Sequence, residues 1–496
     1  MKKLYGIICV FLMVCSFVFL IPVRTYAQDG TYGENLTWHF ENGVLTVSGS
    51  GHMPSDQKTP WIGMRNLITS VVLESGVTSV SKRAFEDCPN LTSISMPFGL
   101  LSIEAYAFRG CTNLTEVILP ASLTAIGGGA FEKCCSLTGI QIPDSVTHIH
   151  SDTFADCQSL VDITLPTQLV HIGDRAFFGC TGLVAISMAD TVQTIGVSAF
   201  EGCSGLERIT LSDTITEIPD RAFYGCENLN SITLPNELTA IKADAFSGCK
   251  KLQKMVFPSR VTSIGDRAFM DCSSLDTLIL STSLQQIGSD AFYQCANLAS
   301  IELPVTLKSI GTSAFAGCSK LEEVRISDLS AWLSITFSNE KSNPLANDAV
   351  LYIGETLLED LVIPKGCEEI PLYAFVGCQS IRNVTIPKGV IRIQAFAFCR
   401  CVNLRQITIP STVKYIANDV FANCDNLSGI IYQGTPRQLE KIRVINDSND
   451  PLLNVPVLFG WGYYLWTGTL SAVGNVLFQL GLIWLILAIC RKRRGY

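Results

Sequence analysis

Residues Leu114–Cys134 read LTEVILPASLTAIGGGAFEKC, and this unit returns along the chain every 23 residues. A phenylalanine marks the period, and a cysteine follows it three residues later. The phenylalanines of the series are Phe85, Phe108, Phe131, Phe154, Phe177, Phe200, Phe223, Phe246, Phe269, Phe292, Phe315, Phe375, Phe398 and Phe421. A fixed period of this length predicts a solenoid, in which each coil contacts its neighbours along the stack.

Each repeat carries the signals of two short extended segments. Val117 and Leu119 alternate with outward-facing residues and end at a proline, which is the pattern of a half-buried strand. Leu123 and Ile126 form a second apolar pair, and we expect Gly127 to turn the chain with a positive φ. For the Ala-Phe-x-x-Cys segment we expect single helical turns. The predicted fold is a β-rich α/β repeat solenoid whose coils stack at roughly 4.8 Å.

The unit resembles the BspA-like leucine-rich repeats of bacterial surface proteins, L-x-x-I-x-[LI]-P-x-x-[LV]-x-x-I-x-x-x-A-F-x-x-C. The resemblance covers residues 73–430, and residues 33–61, which hold Trp38 and Trp61, resemble the amino-terminal cap of such proteins. It implies a leucine-rich-repeat right-handed superhelix. It also implies a role in adhesion to host matrix proteins, other bacteria or surfaces.

The two ends of the chain carry targeting signals. Lys2 and Lys3 precede an apolar run that ends near Ala27, which is typical of a signal peptide. Leu470–Cys490 holds no formal charge and is long enough to span a bilayer, and four basic residues follow it. Positive charge stays on the cytoplasmic side of a membrane. The sequence therefore predicts a single-pass protein of the cell membrane, with extracellular repeats and a cytoplasmic carboxy terminus.

The predicted organisation follows from these signals. In chain order it is a signal peptide over 1–27, an amino-terminal cap over 28–72, leucine-rich repeats over 73–326, an elongated irregular coil over 327–364, leucine-rich repeats over 365–430, a carboxy-terminal cap over 431–460, a juxtamembrane aromatic segment over 461–469, a transmembrane helix over 470–490 and a basic tail over 491–496. Without the seven basic residues at the two ends, the net charge changes from −8 to −15. Such a surface repels nucleic acid.

Fourteen of the 20 cysteines occupy one register of the repeat. Equivalent side chains on stacked coils project in parallel, whereas a disulfide requires two Cβ atoms that face each other. We therefore expect buried, reduced thiols that behave as small apolar groups.

One segment breaks the period. Between Ser327 and Pro364 the repeat is 14 residues longer than elsewhere, and the sequence around Trp332 echoes that of residues 439–459. We expect an elongated coil that protrudes from the stack, with the later copy forming the terminal cap. Insertions in repeats often map to a binding face, so Trp332 is a candidate contact to a ligand. The alternative is that the segment folds onto its own core.

The outward residues of the first strand of each repeat form the expected binding face. They are mostly Ser, Thr and charged residues, which favours a protein partner over a sugar. The candidate binding residues on this face are Asp162, Arg208, Lys254, Glu302, Glu323 and Arg325. A solvated face without a partner would have the same composition.

Three of the five histidines are predicted to meet on adjacent coils. His148 and His171 are one period apart, and His150 lies two residues from His148. Imidazoles in this arrangement are a weak candidate for a metal site, and ordinary solvated positions are the alternative. The sequence otherwise predicts no catalytic residues and no cofactor. It indicates an adhesin-like surface protein that binds an extracellular protein, the rival interpretation being a passive spacer of the cell surface.

Overall fold

The computed structural model describes residues 27–445, 454–459 and 464–466. The chain divides into two compact units, Met1–Val192 and Gln193–Tyr496. Residues 1–26 of the predicted signal peptide, the predicted transmembrane helix over 470–490 and the basic tail over 491–496 lie outside the described residues. Within the described ranges, none of the helices combines the length and the apolar character that a membrane span requires.

In the first unit each coil contributes up to two short strands. An antiparallel sheet begins it, with strands Gln28–Tyr32, Leu36–Glu41 and Val44–Gly49. The first strands of the coils that follow are Ser70–Leu73, Ser93–Ser95, Gly139–Gln141, Asp162–Thr164 and Ala185–Ser187. The second strands are Gly51–His52, Val77–Val80, Ser102–Ile103, Ala125–Ile126, His148–Ile149 and His171–Ile172.

The second unit repeats this plan. Its first strands are Arg208–Thr210, Ser231–Thr233, Lys254–Val256, Thr277–Ile279, Ser300–Leu303, Glu323–Ile326, Val350–Ile353, Asp360–Val362, Asn383–Thr385, Gln406–Pro410, Gly429–Gln433 and Pro456–Phe459. Its second strands are Thr194–Ile195, Glu217–Ile218, Ala240–Ile241, Ser263–Ile264, Gln286–Ile287, Ser309–Ile310, Thr336–Phe337, Glu369–Ile370, Arg392–Ile393, Tyr415–Ile416 and Arg443–Val444. Thr356–Leu357 and Tyr464–Trp466 are further strands in hairpins.

Parallel pairing in steps of 23 residues sets the register of the coils. Ile209 lies opposite Ile232, and both are flanked by outward-facing residues. The same step pairs Ile241 with Ile264 in the second strands. Because every coil places its apolar residues at the same positions, stacking joins them into columns and removes them from water. The predicted repeat solenoid is confirmed as a β-solenoid with few helices.

Phenylalanine rings stack along the core of each unit. In the first unit Trp61 stacks on Phe85, and the series continues through Phe108, Phe131 and Phe154 to Phe177, with centroids 5.4–5.7 Å apart. In the second unit the series runs from Phe200 to Phe315 with spacings of 5.2–5.5 Å. All of these rings are buried, so each fills the space between its neighbours.

The expected helical turns around the phenylalanines are absent from the described repeats. We call each stacked series of these rings a phenylalanine ladder. Every phenylalanine of a ladder has one residue with positive φ two positions before it and another two positions after it, such as Arg221 and Gly225 around Phe223. A left-handed residue cannot continue a right-handed helix, so the segment forms successive turns instead. The described helices lie elsewhere, at Ile62–Met64, Leu329–Trp332, Glu340–Ser342, Pro344–Asn347 and Pro436–Leu439.

Gly127 does not turn the chain in the way the sequence predicts. Its φ is not positive, and a Cβ atom there would lie 2.4 Å from the backbone nitrogen of Ala105 in the preceding coil. Gly311 is similarly close to the backbone nitrogen of Ser289, at 2.4 Å. At these positions glycine allows two coils to approach each other closely, and the left-handed positions beside the phenylalanine make the turn.

The elongated segment is folded into the core and does not protrude. Trp332 is 1% exposed, and its Nε1 donates a hydrogen bond to the carbonyl of Ala374 at 3.0 Å. Asn343 is also buried and donates to the carbonyl of Tyr373 at 2.8 Å. Trp61 makes the corresponding bond in the first unit, to the carbonyl of Ala84 at 2.8 Å. In both places an indole binds the alanine that precedes the first phenylalanine of a stacked series, since Phe375 stacks on Phe398 and Phe398 on Phe421.

The same segment also closes the coils that precede it. Thr336–Phe337 pairs with Ser309–Ile310, and Val350–Ile353 pairs with Glu323–Ile326 and then turns back in a hairpin. We call residues 327–358 the internal cap. The carboxy-terminal cap has the same plan, a helix at Pro436–Leu439 followed by two parallel strands and a hairpin. Its last strand, Tyr464–Trp466, lies in the segment that the sequence predicts to be juxtamembrane.

Candidate functional site

In each unit the outward side chains of the first strands form a regular surface, which we call the first-strand face of that unit. The period-two pattern placed most of the candidate residues correctly on it. Asp162 in the first unit and Arg208, Lys254 and Glu302 in the second are exposed. Trp332, by contrast, lies inside the internal cap, where its ring cannot reach a ligand, and it is not retained as a binding residue.

Arg325 and Glu323 are half-buried and bound to each other. Nη2 of Arg325 donates to Glu323 at 2.7 Å, Nη1 reaches Glu355 at 3.3 Å, and the guanidinium lies 4.4 Å from the ring centroid of Tyr352. The hydrogen bond to Glu323 raises the pKa of Arg325. These contacts order the two side chains at the edge of the internal cap, so they are less available to a partner than Arg208 or Lys254.

The first-strand face of the first unit carries acidic charge only. Glu116, Asp144 and Asp162 lie on it, and the segments 92–99, 115–122, 138–145, 161–168 and 184–191 contain no Lys, Arg or His. Asp144 accepts hydrogen bonds from the backbone nitrogen and Oγ1 of Thr167, at 2.8 and 3.0 Å. These bonds lower the pKa of Asp144, so its negative charge persists in mildly acidic solution.

The three histidines come together as the register predicts. His148 lies opposite His171, and the ring centroid of His148 is 6.2 Å from each of the other two. Burial lowers the pKa of His171, and the neighbouring imidazoles lower it further against the opposing effect of Asp174. Across the described part of the chain, no group of three or more His, Cys, Asp or Glu side chains is arranged to hold a metal ion.

The cysteines of the repeat form a second column beside the phenylalanines. The 17 cysteines within the described residues are all free thiols. Sγ of Cys111 donates to the carbonyl of Phe85 at 3.1 Å, and Cys134 makes the same bond to Phe108 at 3.2 Å. Burial raises the pKa of Cys88 and of Cys318 to about 12. These thiols therefore stay protonated at neutral pH and act as packing groups.

Alkylation of the native protein is expected to separate the cysteines into two classes. At pH 8 iodoacetamide should modify Cys135 and Cys367, which are partly exposed, and spare the 15 buried cysteines of the described residues. Peptide mass spectrometry identifies the modified sites, and a sample unfolded in guanidinium provides the fully modified reference. Rapid native modification of Cys249 or Cys272 would contradict the assignment.

Comparison with known proteins gives one family. The model of the BspA type leucine rich repeat region, six copies long, matches residues 64–161, 147–276, 240–343 and 351–446. A leucine-rich repeat protein from Bacteroides ovatus is similar in structure, with 25% identity and a TM-score of 0.51 over 83% of this chain and 99% of that one.

A leucine rich cell surface protein from Faecalibacterium prausnitzii is 22% identical, with a TM-score of 0.37 over 85% of this chain and 98% of that one. No curated protein matches the sequence. The repeat, its register and the family match agree with one another. The chain belongs to the BspA-type leucine-rich-repeat family.

Proposed function

We propose that this protein is a membrane-anchored binding protein of the bacterial cell surface, similar to an adhesin. In this proposal the first-strand face binds an extracellular protein, either from a host matrix or from another bacterial surface. The signal peptide predicted over residues 1–27 and the apolar segment 470–490, with its four following basic residues, support this localisation.

One observation carries the proposal of a binding face. Inward residues of the first strands are uniformly apolar, whereas the outward residue at the same register changes from coil to coil. Arg208 lies opposite Ser231, Lys254 opposite Thr277, and Ser300 opposite Glu323. Because the inward residues stay apolar, the outward side chains can differ from coil to coil without any change in the core. Such a surface can select a protein partner through polar contacts.

Reversal of two charges on this face tests the proposal. In the Arg208→Glu/Lys254→Glu variant we expect binding to a saturable protein partner to weaken about fivefold or more, since each charge is exposed and its reversal places like charges against a complementary surface. Binding is measured by surface plasmon resonance against immobilised matrix and bacterial surface proteins.

The matched control is Lys251→Glu/Lys320→Glu. It makes the same change in net charge at exposed positions in the turn after the repeat cysteine, before the first strand begins. Equal losses in both variants would contradict a role for the face. If the wild-type protein binds none of the immobilised proteins saturably, the passive spacer becomes the better interpretation.

A further inference from the structure

An open groove of about 900 Å³ crosses the first-strand face of the first unit. Residues 115–119, 138–141 and 143–145 line most of it, and Ala121, Asp162 and Thr164 complete it. The groove arises where the regular pairing is weakest. Residues 115–119 form no strand. One isolated bridge, between Glu116 and Gly139, pairs them with the next coil, together with a hydrogen bond from the backbone nitrogen of Thr138 to the carbonyl of Thr115 at 3.2 Å.

The side chains around this irregularity leave both space and apolar surface. Gly139 has no side chain at the position that Asp162 occupies one coil later, so the groove remains open between Glu116 and Asp162. Ile118 lines the groove and is 74% exposed. Phe98, at the register of the groove residue Ala121, is 80% exposed. Ile118 therefore offers an exposed apolar contact within the groove, and Phe98 adds exposed apolar surface one coil earlier.

The charge of the groove is of one sign. Glu116, Asp144 and Asp162 are among its lining residues, and the lining contains no Lys or Arg. Cationic side chains are therefore favoured there and anionic ligands are repelled. The second unit differs, because its first-strand face carries Arg208 and Lys254 as well as acidic residues.

We propose that this groove binds an extended, basic segment of a protein partner. The proposal rests on the proposed function, since it names the chemistry that one part of the face recognises. Glu116 and Asp162 occupy the same register two coils apart, which is roughly 10 Å at the usual strand spacing. In an extended chain of polyproline II conformation the first and fourth residues lie on the same side, roughly 9 Å apart. Two basic residues at that spacing can pair with both carboxylates while an apolar side chain beside them covers Ile118.

A short synthetic peptide serves as the probe. We expect fluorescein-labelled Lys-Ala-Val-Lys-Ala-Val-Lys to bind the full-length protein in fluorescence anisotropy, more weakly as salt rises, and the same peptide with Glu in place of Lys not to bind. The Glu116→Gln/Asp162→Asn variant should weaken binding about fivefold, because it removes two exposed charge pairs. Asp144 is left intact because it holds Thr167 in place.

The matched control, Glu302→Gln/Glu322→Gln, removes two exposed carboxylates from the second unit and should change the affinity less than twofold. A third variant, Ile118→Ser, should weaken binding without any change in charge. Equal losses in the groove and control variants would show diffuse attraction by an acidic chain and overturn the proposal, as would the absence of binding by the wild-type protein. Neither result bears on the proposed function, which is tested with whole protein partners and with Arg208 and Lys254.

Discussion

Replacement of Phe246 by alanine is expected to lower the free energy of unfolding by about 3–5 kcal/mol. The Phe246 ring is 0% exposed and lies between the rings of Phe223 and Phe269, with centroids 5.2 Å away on each side. Truncation removes apolar contacts to both neighbouring coils at once. It leaves a cavity because the parallel strand pairing holds the backbones on either side in place. No other group in the coil can fill this space without breaking the register.

The shape of the unfolding transition of the Phe246→Ala variant also tests the role of the stacked phenylalanines. Coils in a solenoid are stabilised mainly by their nearest neighbours, so a defect in the middle of a ladder should split or broaden the urea unfolding transition followed by circular dichroism. Phe98→Ala is the matched control, because it removes the same side chain from an exposed position and should change stability by no more than about 0.5 kcal/mol. Similar losses of unfolding free energy in both variants would contradict a stabilising role of the stacked phenylalanines.

The 23-residue period was sufficient to predict which residues face the core. Burial of the phenylalanines and cysteines, the two strands and the step in register all follow from side chains that recur at fixed positions. The same argument placed Asp162 on the outward face of the first unit and Arg208 and Lys254 on that of the second, and it brought His148, His150 and His171 together. Each of these predictions depends only on a residue and its equivalents in neighbouring coils.

The conformation of the turn around each phenylalanine could not be predicted from the period. The left-handed position two residues before it is occupied by Arg221, Asp244 or Tyr373 among others, so composition gives no signal there. The position two residues after it is often glycine, as at Gly225 and Gly248, and this recurrent Gly-Cys pair was a signal that the sequence reasoning missed. Both positions adopt positive φ because the coil must reverse direction within a few residues.

The protrusion predicted for the elongated segment is wrong, and the alternative that it folds onto its own core agrees with the burial of Trp332. The sequence leaves both interpretations open because the burial depends on contacts far along the chain. The hydrogen-bond acceptor of Trp332, the carbonyl of Ala374, lies 42 residues later, in the next coil of ladder residues. The sequence around Trp332 does not distinguish an exposed insertion from a buried one. The buried segment pairs with the preceding coils and also binds the first of the coils that follow it.

Replacement of Trp332 by alanine is therefore expected to uncouple the coils that follow the internal cap from those that precede it within the second unit. We expect a loss of about 3–5 kcal/mol, since a fully buried indole and its hydrogen bond to Ala374 are removed together. Hydrogen–deuterium exchange should show faster exchange in peptides from residues 360–433, with little change in peptides from residues 200–320.

Two further variants separate packing from hydrogen bonding in this cap. Trp332→Phe keeps an aromatic ring but loses the donor, and it should cost about 1 kcal/mol because Asn343 still donates to the same carbonyl at 3.2 Å. Glu355→Ala removes only an exposed ion pair with Arg325 and should leave exchange unchanged. If Trp332→Ala leaves the protection of residues 360–433 intact, the prediction is wrong and the other contacts across this boundary are sufficient to hold it. They include the bonds of Asn343 to the carbonyls of Tyr373 and Ala374 and those of Arg400 to Asp348 at 2.6 Å and to the carbonyl of Ala346 at 2.9 Å.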